Sequence, residues 1–111
     1  LGMIPDLAGT APLVHAVGYS RALELCATGR FVGAQEAVRI GLATVAVPAG
    51  ELASATADLT QALLGTPRSA LRALKPLLHQ ALTATPDEQV HHERVAQGHL
   101  LHGMARTAGL S

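Results

Sequence analysis

Aromatic side chains are almost missing from this chain. Of its 111 residues only Tyr19 and Phe31 are aromatic, and there is no Trp. Any core must then be built from Leu, Ala, Val and Ile, each of which buries less area than an aromatic ring. A free-standing domain with so few large anchors is weakly stabilised, so much of the apolar surface is expected to meet further chain or other subunits. Charge of one sign is missing too: eight Lys and Arg balance eight Asp and Glu. With no basic stripe and no stacking aromatics, nucleic acid is not an expected partner. No apolar run approaches the roughly 18 residues of a membrane span, so no membrane is expected either. The single Cys26 cannot close an internal disulfide, and a cytoplasmic setting is the expectation.

At this length the chain has room for one domain or for part of a larger one. It opens at Leu1, without Met and without the charged start of a targeting signal, and part of a larger domain is the expected reading. No internal repeat or low-complexity tract is present.

The expected structure is mostly α-helical with one or two short strands. Residues 1–9 read as a loop. Thr10 is placed to cap a helix that has Pro12 near its start and ends near Gly18. Ser20 is placed to cap the next, residues 21–28, with Gly29 as its left-handed stop. A third short helix covers residues 33–40. Ala43-Thr44-Val45-Ala46-Val47 reads as a strand, because Thr44, Val45 and Val47 are β-branched and Pro48 stops the run. Leu52, Leu59 and Leu63 share one helical face. Thr66-Pro67 and Thr85-Pro86 repeat one signal, a cap residue followed by proline at the first helical position. Between them Leu71, Leu74, Leu78 and Leu82 form an apolar stripe, with a kink or break expected at Pro76. The last helix runs from Pro86 toward Thr107. It has Asp87 and Glu88 in the first turn, where the helix dipole favours negative charge, and a thin apolar face of Val90, Leu101 and Met104. The expected division is residues 1–48, a core end with the loop, short helices and strand, and residues 49–111, a helical region.

One stretch carries more than local structure. Leu1-Gly2-Met3-Ile4-Pro5-Asp6-Leu7-Ala8-Gly9-Thr10 resembles the loop written LGxxPxxGGT in the crotonase superfamily, the enoyl-CoA hydratase/isomerase type. The likeness continues in register through Leu13 and Gly18, Ala22-Leu23-Glu24-Leu25 with Thr28-Gly29-Arg30, Ala34-Gln35-Glu36-Ala37, Gly41-Leu42 and Val47-Pro48. It goes on through Glu51-Leu52, Pro67, Ala70-Leu71 and Lys75, to about Gln97. Each motif is short, and their shared order and spacing carry the resemblance. It implies the C-terminal portion of an α/β crotonase fold, with a spiral core, and a homo-oligomer built as a trimer or a dimer of trimers. The departures are Ala8 where the family usually has Gly, His15 where it often has Arg, and no recognisable family ending after Gln97.

The resemblance implies acyl-CoA chemistry through a thioester enolate, with coenzyme A entering as part of the substrate and no metal or redox cofactor. Two backbone N–H groups hold the thioester oxygen, and the resemblance puts both N-terminal to this segment, along with the hydratase carboxylates. Asp6 stands where hydratases usually carry Gly and where double-bond-shifting relatives often carry Asp. It is the expected catalytic residue, set against an apolar acyl pocket of Met3, Ile4, Pro5, Leu7, Gly9 and Thr10. The residues alone also allow a turn, since Pro-Asp shortly before Gly is a common turn signal. Two functions follow: an enoyl-CoA isomerase or hydratase, or a non-catalytic acyl-CoA-binding module on the same scaffold.

The remaining candidates read as structural. His92, His99 and His102 share a flank of the last helix, with His91 pointing elsewhere, and a solvated or interface face is expected rather than a metal site. Cys26 reads as a buried inert thiol. Glu36 and Arg39 form an i, i+3 surface pair, and Glu93 is a solvated helix residue.

Overall fold

The computed structural model describes residues 2–109. Six α-helices follow the loop: α1 (Thr10–Val17), α2 (Tyr19–Thr28), α3 (Ala34–Arg39), α4 (Leu52–Leu64), α5 (Arg68–Gln80) and α6 (Pro86–Thr107), with a 3-10 turn at Ala49–Glu51 ahead of α4. The chain divides into two compact units, one ending at Leu52 and the other beginning at Ala53.

In the first unit α1 packs on α2. Val17, Ala22 and Ile40 are its buried residues, with Leu13, Leu25 and Val32 partly buried against them. Fully burying a Val or Ile stabilises by about 1.5–3 kcal/mol. A centre this small matches the scarcity of large anchors in the sequence. Gly29 ends α2 in the left-handed conformation expected of it, at φ 63°, its N–H donating to the Leu25 carbonyl. Gly41 is also left-handed, at φ 85°, and here the requirement is spatial as well: a Cβ at this position would lie 2.9 Å from the Ala16 carbonyl oxygen. Only glycine lets the chain after α3 come this close to α1.

The strand expected over residues 43–47 does not form, and no strand occurs among the described residues. Strand hydrogen bonds need a second strand beside them. Instead the Leu42 and Ala43 N–H groups both donate to the Ala37 carbonyl, tying the start of this stretch to the end of α3.

The expected caps fare unequally. Thr10 and Ser20 lie inside their helices, and Gly9 and Gly18 take the N-cap places with no side-chain cap bond. Thr66 turns back to donate to the Ala62 carbonyl at 3.4 Å, which leaves Pro67 at the N-cap of α5. Thr85 does cap α6. Its hydroxyl accepts from the Glu88 N–H at 3.2 Å while the Glu88 carboxylate accepts from the Thr85 N–H at 3.0 Å, a reciprocal capping box.

In the second unit α5 and α6 pack against each other. α5 runs unbroken through Pro76, so the expected break is absent. Proline removes one i to i−4 bond, and the carbonyl it frees belongs to Arg72, an exposed residue that water can serve. The packed seam takes little from the expected leucine stripe, of which only Leu71 is partly buried. Ala73, Leu77, Ala96 and Leu100 are partly buried and line clefts on both flanks of the hairpin, so they form the ridge between them. Leu74, Leu78 and Leu82 remain exposed, as do Val90, Leu101 and Met104 of α6. Small residues let two helices approach closely, which moves the seam one position round from the leucines.

Candidate functional site

The loop before α1 holds the expected site. Gly2 takes φ 69° and Ala8 takes φ 61°. Ala8 is the one described residue other than glycine in the left-handed region. It stands where the resembling loops usually carry Gly, so this chain keeps the backbone turn that glycine favours and places a methyl group on it. Gly9 then enters the helical region, at φ −82° and ψ −16°, as the N-cap of α1.

The side chains of this loop face outward in this chain. Met3, Ile4 and Leu7 are 78%, 82% and 92% exposed. Pro5, Asp6, Gly9 and Thr10 are exposed as well. The apolar setting expected for Asp6 is thus absent within the chain itself. Of the expected site residues, Thr10 lines a cleft, an apolar one of about 160 Å³ shared with Leu13, Val14, Tyr19, Ala22, Leu23 and Cys26. Cys26 is exposed there, not buried as expected.

The first unit also holds an ion cluster that sequence reasoning found only in part. Arg30 donates from Nε to the Glu24 carboxylate at 2.7 Å. Its two terminal nitrogens grip both oxygens of Glu36 at 2.7 and 2.9 Å, a two-pronged pair, and Nη1 also reaches the Phe31 carbonyl. The expected Glu36–Arg39 pair exists at 3.6 Å, and it is the looser one. The Arg30 hydrogen bond holds the Glu36 carboxyl below the usual carboxylate range. Bonds to Glu36 first, and then to Glu24, raise the Arg30 guanidinium above its ordinary value. The signal in sequence was Arg30 set six residues from an acid on either side, a spacing that no single helix explains.

The histidines are largely exposed, as expected of a solvated face, but they group differently. His91, His92 and His99 all line one cleft between α5 and α6, whereas His102 does not line it. His91 was expected to point elsewhere. Its ring centre lies 6.3 Å from that of His92, tilted by 54°. No group of three His, Cys, Asp or Glu able to hold a metal occurs among the described residues. No helix among them is long and apolar enough to cross a membrane.

The family model for enoyl-CoA hydratase/isomerase matches residues 1–111. The chain belongs to that family. Within the enoyl-CoA hydratase/isomerase family it is similar to a Mycobacterium leprae protein assigned as an enoyl-CoA hydratase, 33% identical over 94 residues. That match takes in 85% of this chain and 37% of the relative. A Mycobacterium tuberculosis protein of the same assignment is 37% identical over 93 residues, covering 84% of this chain and 36% of the relative. Among solved structures, a Thermobifida fusca protein assigned as an enoyl-CoA hydratase, in complex with CoA, superposes with a TM-score of 0.87 at 44% identity. That superposition covers 95% of this chain and 41% of the other. The same kind of protein in complex with acetoacetyl-CoA gives a TM-score of 0.82 at 44% identity, over 98% of this chain and 40% of the other. The chain therefore spans about two-fifths of the length of these relatives. What it carries is a mostly helical part of the crotonase fold.

Proposed function

We propose that this chain supplies the acyl-pocket loop of an enoyl-CoA isomerase, with Asp6 as the residue that moves the proton. The observation that carries the proposal is a carboxylate at the middle of the family's loop, flanked on both sides by exposed apolar residues: Met3 and Ile4 before it, Leu7 after it. An apolar loop this exposed is suited to lie against an acyl chain or further protein. The two Thermobifida fusca structures, one in complex with CoA and one with acetoacetyl-CoA, support an acyl-CoA thioester as substrate.

The reaction is a shift of a carbon–carbon double bond. Asp6 takes a proton from the carbon next to the thioester carbonyl, and the electron pair flows onto the carbonyl oxygen. Backbone N–H groups from the rest of the fold stabilise that charge. The same carboxyl then gives a proton to the carbon two bonds further along, and the double bond settles into conjugation. One proton leaves and one returns, so a single loop carboxylate that reaches both carbons is enough. The protein acts as a homo-oligomer, a trimer or a dimer of trimers, in the cytoplasm. The exposed leucines of α4 and α5 support the oligomer.

The alternative, a non-catalytic acyl-CoA binder, draws on the alanine at position 8. The left-handed backbone of Ala8 weakens it, because the loop keeps a glycine-like turn despite the substitution.

The test is the conversion of a β,γ-enoyl-CoA to its conjugated isomer, followed by the absorbance of the conjugated thioester. In the complete protein, Asp6→Asn should slow isomerisation by about 10²–10⁴-fold with little change in KM. An unchanged kcat assigns proton transfer elsewhere. The 111-residue chain alone should show no turnover above background.

A further inference from the structure

Arg68, Arg72 and Pro76 recur at every fourth position of α5, and His92, Val95 and His99 recur at spacings of three and four on α6. Each set therefore shares one face of its helix. The hairpin puts the two faces on the walls of one groove of about 710 Å³, with Ala73, Leu77 and Ala96 beneath them. No carboxylate lines this groove. Glu93 lines the cleft on the opposite flank, and the Glu88 carboxylate accepts from the Thr85 N–H. Among the described residues neither Arg68 nor Arg72 enters an ion pair. The Nδ1 atom of His92 is buried without a hydrogen-bond partner.

Two guanidinium forks without counter-charge, facing imidazoles across an apolar floor, select for a particular ligand chemistry. The planar fork of arginine matches two oxygens of a phosphate. An apolar floor gains nothing from a small hydrated anion but gains from an organic body that covers it. We propose that the α5–α6 groove binds a phosphate monoester with a flat or apolar body, its phosphate held between Arg68 and Arg72 and its body laid over Ala73 and Ala96.

The probe is AMP, titrated into the full chain and followed by the arginine side-chain and histidine ring resonances. AMP should shift the signals of Arg68, Arg72, His92 and His99 together. Inorganic phosphate, which lacks the body, and adenosine, which lacks the phosphate, should each bind at least about tenfold more weakly. Arg72→Gln should weaken AMP roughly ten- to hundredfold, the value of a charge-assisted bond, and Arg72→Lys should fall between. Both arginines are exposed, so these variants should leave the amide spectrum outside the hairpin unchanged. Arg21→Gln, in the other unit, should leave AMP affinity unchanged. Comparing CoA and dephospho-CoA, which lacks the 3′-phosphate monoester, with AMP separates the two sources of the ligand: CoA binding at least as tightly as AMP and tenfold above dephospho-CoA assigns the groove to the thioester carrier, both binding well below AMP assigns it to a free organic phosphate, and dephospho-CoA binding as tightly as AMP overturns the proposal. The proposal is overturned if AMP leaves the four signals in place, or if Arg72→Gln and Arg21→Gln bind it equally well.

Discussion

Gly41→Ala and Gly29→Ala make the sharpest test of how the first unit is held together. Both glycines are left-handed, at φ 85° and 63°. An L-residue there costs about 1–2 kcal/mol. Losing a glycine also narrows the unfolded ensemble, which offsets about 0.4–1 kcal/mol of that cost. For Gly29 the balance ends there, since a Cβ at this position meets nothing within 4 Å. Gly29→Ala should therefore destabilise by about 0.5–1 kcal/mol. At Gly41 the new Cβ meets the Ala16 carbonyl oxygen at 2.9 Å. That oxygen belongs to the backbone of α1 and cannot rotate away as a side chain would, so the helix or the turn must move. Overpacking of this kind adds about 1–3 kcal/mol. Gly41→Ala should thus lose about 2–3 kcal/mol in all, several times the loss at Gly29. Urea unfolding of both variants and the parent, with m held constant as the check on comparability, reads the difference directly. Equal losses would show that the turn after α3 does not press against α1, and the account of that contact would fall.

Three further outcomes are expected. Ala8→Gly should stabilise the loop by about 0.5–1 kcal/mol, the left-handed strain relieved less the added freedom of glycine when unfolded, and a loss of stability in the same urea assay would contradict the φ of 61°. Thr85→Ala should cost α6 about 1 kcal/mol, whereas Thr85→Ser should be nearly neutral; amide hydrogen exchange at Glu88 and Gln89 checks both, and equal exchange in the two variants would remove the capping box. The third concerns pH. Arg30 depresses the titration of Glu36, so the contribution of the pair is present above the usual carboxylate range and is lost as pH falls through the lowered value. Acid unfolding should begin earlier in Arg30→Met, with a flatter dependence of stability on pH through that window; an unchanged acid profile would mean that Glu36 is not held by Arg30.

Much of the helical framework was legible in the residues. The stop at Gly29, the start at Pro86 and the run toward Thr107 follow from local chemistry that acts within a few residues of itself. What local chemistry could not settle was competition between partners. Thr66 and Thr85 look alike in sequence, each followed by proline. One hydroxyl is drawn back to the Ala62 carbonyl, and the other finds Glu88 three residues ahead. The residues 43–47 have the branching of a strand, but a strand is a pairwise object, and no partner stands beside them among the described residues. The leucine stripe of α5 has the right period for a core. Period says which residues share a face, not which face meets a neighbour, and the alanine seam beside it allows the closer approach.

The same distinction governs the loop around Asp6. Sequence order sets the carboxylate among Met3, Ile4 and Leu7, and the conformation of Ala8 turns the loop into α1 as a glycine would. Neither supplies a wall on the far side, and the acid and its apolar neighbours stand exposed. Apolar side chains 78% to 92% exposed are unfavourable in water, and covering them removes that penalty. The free energy that closes a protein surface or an acyl chain over Met3, Ile4 and Leu7 is therefore the same free energy that strips water from Asp6. On the role proposed for Asp6, polar replacements at Leu7 in the complete protein should lower kcat for isomerisation of a β,γ-enoyl-CoA even though Leu7 carries no proton, and an unchanged kcat would refute that coupling.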